Sequence, residues 1–158
     1  MTSDVALQHG AHEERAMDTT RLTRALVPLG RLIFSAIFIL SAVSHFMPET
    51  IEYARSQGVP SPQLLVPLSG VIALAGALSI LFGYHARIGA LLLLLFLVPV
   101  TLIMHDFWNV TDPAMRQMQM ASFMKNLALM GGVLMFLHFG AGPYSLDASR
   151  RRRRSHVT

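Results

Sequence analysis

With 158 residues, 53% of them hydrophobic and only 14% charged, and a mean hydropathy of +0.47, the chain is too apolar for a soluble domain and too short for two domains. A formal charge of +4 and a pI near 10.3 would suit a nucleic-acid binder, but most of the basic residues are arginines gathered at the two ends, with no recognition fold between them. Cysteine is absent, which excludes disulfide exchange, thiolate nucleophiles, cysteine-ligated iron–sulfur clusters and covalently attached haem within the chain.

Residues 1–27 are polar, mixing His9, His12, Glu13, Glu14 and Asp18 with Arg15, Arg21 and Arg24. A cleaved signal peptide would begin its apolar core sooner and end at a small-x-small site, so this stretch is read as a disordered cytoplasmic arm. A first membrane helix is predicted over about 28–46, opened by Pro28 and stopped by Met47-Pro48, with Arg31 snorkelling to the headgroups from its first turn. Ser41 and His45 lie four residues apart and share a face. The loop that follows should carry a short helix over Glu49 to Gln57, ended by Gly58 and kept from resuming by Pro60; Ile51, Tyr53 and Ala54 would lie on the mouth of the bundle.

A second span is predicted over about 63–82, where Gly70, Ala73 and Ala77 give the small-residue row that lets membrane helices approach closely. After a tight turn at Gly83 to Arg87, a third span covers about 88–104; Pro99 should kink it, and Thr101 and His105 share a face at its end. A second loop over 109–119 should hold a short helix, with Thr111 as its cap. Its methionines, from Met115 to Met124, are read as adaptable packing rather than a soft-metal site. A fourth span over about 120–139 puts Ser122, Lys125 and Asn126 near one another, and Gly140 to Pro143 ends it. Residues 147–158 form an arginine-rich cytoplasmic tail, Arg150 to Arg154 at its centre. The fold class is thus an all-α, membrane-embedded, antiparallel four-helix bundle over 28–146.

HDFW at 105–108, FMKNLALMGG at 123–132, GYHARIGALLLL at 83–94 and GVP at 58–60 stand in an order and spacing that together resemble the DoxX family of four-helix bacterial membrane proteins, from about Gly30 to Leu146. The resemblance matches His105, Phe107, Trp108, Lys125 and Asn126. His45 stands where relatives show varied polar residues, and Ala73 stands where relatives often have a glutamate, which removes one intramembrane acid. The family is named for a subunit of a sulfur-oxidising quinone reductase, so the resemblance implies a multi-pass protein of the bacterial inner membrane and allows a redox-associated role with a quinone and an oxidoreductase partner. Most members have no assigned activity.

Four spans put both termini on one side. Arg15, Arg21, Arg24, Arg31, Arg87 and Arg150 to Arg154 are ten of the thirteen basic residues and fall together, leaving Arg55, Arg116 and Lys125 toward the other side. The positive-inside rule then gives N-in, C-in. The tail beside a span end should hold to anionic membrane lipid at roughly 1 kcal/mol per arginine, and no nucleic acid is needed to explain it.

This topology brings His45, His105, Asp106, Trp108, Lys125 and Asn126 to the outer level from three helices, a hypothetical cofactor-binding pocket. In one reading Lys125 pairs with Asp106, the histidines meet headgroups and Trp108 anchors the interface. In a second, Lys125 and Asn126 donate to a carbonyl-bearing or anionic ligand such as a quinone headgroup, walled by Phe107 and Trp108. In a third, His45 and His105 ligate a haem or a metal, which nothing in the pattern requires. No nucleophile with its base, phosphate loop or metal-spaced motif marks an enzyme acting on its own. A non-enzymatic scaffold or assembly partner is the alternative, with oligomerisation left open, and a small-molecule carrier, lacking an evident inverted repeat, ranks last.

Overall fold

The computed structural model describes the backbone of residues 2–155 and the side chains of residues 21–153. In chain order it comprises α1 (Thr2–Ser44), α2 (Pro48–Ser56), α3 (Pro62–Phe82), α4 (Ala86–Met104), a 3-10 turn (Phe107–Asn109), α5 (Pro113–Phe139) and α6 (Leu146–Ser155). Among the described residues, four stretches are long and apolar enough to cross a membrane: Arg21–Ser44, Pro62–Phe82, Ala86–Asn109 and Pro113–Phe139. At about 1.5 Å per residue each of them covers the ~30 Å hydrocarbon core of a bilayer. Their outer surface carries the large apolar side chains, Leu64, Leu91, Leu95 and Leu134 among them, each more than half exposed. That inverts the arrangement of a water-soluble bundle and is what lipid as a solvent demands.

The interior interleaves large apolar side chains with alanines and glycines. The core gathers Phe38 of α1, Ala73, Ala77 and Ile80 of α3, Ala90, Leu93, Phe96 and Leu97 of α4, and Val133 of α5. α3 packs between α1 and α4, and α4 packs in turn on α5. Between lipid-soluble helices there is no water to expel, so close approach and van der Waals contact hold the spans together. A Cβ added at Gly76 would lie 2.9 Å from the Gly89 carbonyl oxygen, and one at Gly70 would lie 2.7 Å from His45 Cβ. The Gly70, Ala73, Ala77 row is buried, as its spacing predicts. α1 and α5 meet through Phe34, whose ring lies 5.0 Å from that of Phe136 and against Gly132.

Several boundaries differ from the sequence reading. Pro28 does not open the first helix but lies inside α1, whose helical backbone begins at Thr2; the side chains of residues 1–20 lie outside the described ones. The predicted short helix near Met115 is the first part of α5, continuous over 27 residues. Its cap is Asp112 rather than Thr111, because the Asp112 carboxylate accepts from the Met115 N–H at 2.7 Å. The arginine tail is helical as α6 up to Ser155. Arg31 does not snorkel: its side chain is buried and its guanidinium donates to the carbonyls of Ala141 (3.1 Å) and Tyr144. Arg31 thereby ties the first span to the segment that follows the last.

That segment also closes the α3–α4 turn. Gly83 ends α3 in the left-handed region at φ 61°, and a Cβ there would strike Ser145 and the Arg31 guanidinium, so glycine is required by both conformation and space. His85, the residue before α4, has no capping bond of its own. Asp147 supplies one from 62 residues away: its two carboxylate oxygens accept the N–H groups of His85 (2.9 Å) and Ala86 (3.1 Å). A carboxylate at a helix N-terminus satisfies orphan donors and complements the helix dipole.

Candidate functional site

At the opposite end, α2 lies across the mouth of the bundle. Pro48 starts it with a fixed φ, and the left-handed Gly58 (φ 76°) turns the chain back toward α3. Tyr53 on α2 and Gln57, the residue that caps its C-terminus, are one turn apart and therefore reach the same neighbours. The Tyr53 hydroxyl donates to the Met104 carbonyl (3.2 Å) and accepts from the Gln119 amide (2.7 Å) and, at 3.4 Å, from the Gln57 amide. Gln57 also donates to Asp106 Oδ1 (3.0 Å) and the Ile103 carbonyl (3.3 Å). The second Asp106 oxygen accepts from the Asn109 amide at 2.9 Å.

His105 ends the chain of bonds, with Nδ1 2.8 Å from Gln119 Oε1. Because that oxygen can only accept, Nδ1 carries the proton, which leaves Nε2 of a neutral imidazole as an acceptor. Apart from His105, which stands behind Gln119, the side chains of this network line a cleft of about 260 Å³ formed by Tyr53, Gln57, Asp106, Asn109, Val110, Met115 and Gln119. The cleft offers amide donors beside a carboxylate, which is chemistry suited to a small polar group bearing carbonyl or hydroxyl oxygens.

Of the six residues expected to converge, the network brings together His105 and Asp106. Lys125 is exposed on α5 and makes no ion pair with Asp106; among the described residues the ion pair is Arg55 with Glu52, on α2. The carboxylate is held by amides instead. Asn126, the next residue, is buried, with no hydrogen-bond partner among the described residues. Trp108 is exposed and forms an edge-to-face trio with Phe107 and Phe123, ring centroids 5.2 to 5.8 Å apart. His45 turns inward, its Nδ1 bonding the Ser41 carbonyl (2.9 Å) and its ring set against Phe96. The Ser41 hydroxyl goes to its own helix at the Phe38 carbonyl. No three histidine, aspartate or glutamate side chains gather to hold a metal ion among the described residues.

Tyr53, Gln57, Asn109 and Gln119 were not among the expected site residues, although Tyr53 was placed at the bundle mouth. The one sequence signal for them is the i, i+4 spacing of Tyr53 and Gln57 on a short helix rich in polar residues.

Four apolar spans, lipid-facing large side chains and a polar knot at each end define a multi-pass, all-helical membrane protein. The chain belongs to the DoxX family, whose profile matches residues 26–106. It is similar to inner membrane protein YphA of Escherichia coli K12, 29% identical over 124 residues, which cover 77% of this chain and 88% of the relative. Inner membrane protein YqjF of the same organism is 34% identical over 98 residues, covering 62% of this chain and 69% of the relative. A Surfeit locus protein 4 homolog of Schizosaccharomyces pombe is 27% identical over 98 residues, 61% of this chain but 32% of that protein. No solved structure matches the chain. With four apolar helices and relatives of this kind, it is a protein of the bacterial inner membrane.

Proposed function

We propose that the chain is a redox-associated membrane module whose outer cleft receives a quinone-type headgroup on behalf of a partner oxidoreductase. The observation that carries this reading is the Tyr53–Gln57–Asp106–Gln119–His105 network around the cleft. A quinone presents two carbonyl acceptors, and the Asn109 and Gln119 amides, each giving one N–H to Asp106 or Tyr53, have a second N–H to turn toward them. A cleft of about 260 Å³ takes one ring and leaves an isoprenoid tail to the lipid-facing surface. The same reading takes both termini as cytoplasmic, on the strength of ten of thirteen basic residues at one end, and sets the cleft on the far side of the membrane.

Purification in detergent, solvent extraction and chromatography of the extract test it. The expected result is co-purified quinone, lost when Tyr53→Phe removes the hydroxyl that Gln57 and Gln119 share. Extracts free of quinone, together with no thermal stabilisation of the protein by added short-chain quinone, would overturn it.

A second reading, a scaffold without a ligand, is favoured by α5. It is the span least enclosed by the rest of the chain, and Lys125 stands exposed among Met124 and Leu127 on its surface. A cation in that position is costly in lipid and suits an acidic group on a partner helix. Crosslinking and mass spectrometry from native membranes separate the two readings by recovering a partner along α5 or an oxidoreductase at the cleft.

A further inference from the structure

At the arginine-rich end the start of α4, the end of α5 and α6 enclose another cleft, of about 320 Å³. Its polar side is set by Arg87 of α4 and by Arg150 and Arg151 of α6; Ile88 and Phe139 form its apolar side. Each guanidinium is placed differently. Arg87 donates to the His138 carbonyl at 3.0 Å. Arg150 lies 4.4 Å over the Tyr84 ring and 3.3 Å from His85 Nε2. Arg151 has no partner among the described residues.

Asp147 is the acid in the lining, and both its oxygens are occupied by the N–H groups that open α4, whose dipole offsets its charge. Three arginines against one carboxylate already held by backbone N–H groups leave the cleft cationic. Planar guanidinium groups match phosphate oxygens in pairs. Beside them Ile88 and Phe139 are 55% and 66% exposed at the ends of two spans, hydrocarbon next to fixed positive charge. That juxtaposition has the polarity of a phospholipid: an anionic phosphate followed by acyl methylenes.

We propose that this cleft is a saturable binding site for the phosphate of an anionic phospholipid, with Ile88 and Phe139 taking the first methylenes of its chains. The site differs from the diffuse attraction of the tail because Arg153, on the same helix, is not part of its lining. The distinction is measurable at equal net charge.

The full chain is reconstituted in phosphatidylcholine nanodiscs with increasing phosphatidylglycerol, and retained lipid is counted by native mass spectrometry. The site predicts one saturable phosphatidylglycerol whose retention falls roughly fivefold more in Arg151→Gln than in the charge-matched Arg153→Gln. Arg87→Gln should weaken it further, and melting in pure phosphatidylcholine confirms that each variant is folded. Equal losses for Arg151→Gln and Arg153→Gln would reduce the effect to general tail charge and overturn the site. Inorganic phosphate that stabilises the protein in pure phosphatidylcholine as well as phosphatidylglycerol does would overturn the lipid assignment.

Discussion

The Arg31 guanidinium donates to the Ala141 carbonyl across 110 residues of sequence, joining the first span to the chain leaving the last. The Tyr144 carbonyl accepts from the other terminal nitrogen. Removing this group in Arg31→Leu leaves the buried Ala141 carbonyl and the part-buried Tyr144 carbonyl unpaired and should cost about 2–4 kcal/mol. Arg31→Lys, with a single ammonium and no fork, should recover less than half of the loss. Thermal melts of the purified protein in detergent read both values, and an unchanged melt for Arg31→Leu would contradict the role of Arg31 as a tie.

Helix capping separates two adjacent residues at the start of α5. Asp112→Ala removes the carboxylate that accepts from Met115 and should cost about 1 kcal/mol. Thr111→Ala should change stability by no more than about 0.5 kcal/mol. Paired denaturation curves for the two variants check the assignment.

Glycines of like composition should respond in opposite ways. Gly76→Ala places a methyl 2.9 Å from the Gly89 carbonyl oxygen and from Leu93, forcing α3 and α4 apart; a loss of about 1–3 kcal/mol is expected. A Cβ at Gly131 meets nothing within 4 Å, so Gly131→Ala should be neutral or stabilising by up to about 1 kcal/mol through helix propensity. Expression level and melting temperature rank the pair.

Lys125 offers a test that distinguishes fold from partnership. Because the side chain is exposed and forms no ion pair within the chain, Lys125→Ala should leave the melt of the isolated protein within about 0.5 kcal/mol of the parent. If α5 docks a partner, the same change should remove its crosslink and lower protein abundance in native membranes. A large loss of stability in the isolated protein would show that Lys125 serves the bundle itself.

By itself, the sequence determined that the chain is a four-span helical membrane protein of this family. Hydropathy and turn residues such as Pro48, Gly58 and Gly83 are local quantities, and a bilayer fixes the length of whatever crosses it. His105 and Asp106 were legible too, since polar residues at a helix exit have few places to go.

Only the tertiary structure decided which neighbours those polar residues found. A span bordered by lipid is apolar on every side, so no polar face announces its inward direction. Lys125 and Asn126, adjacent in sequence and about 100° apart on the helix, thus divided between the outside and the interior. Arg31 gave up an expected place at the headgroups for a carbonyl 110 residues distant, and Asp147 reached the His85 N–H, 62 residues away, because low dielectric makes an unpaired carbonyl or N–H costly wherever the fold brings a donor or acceptor within reach.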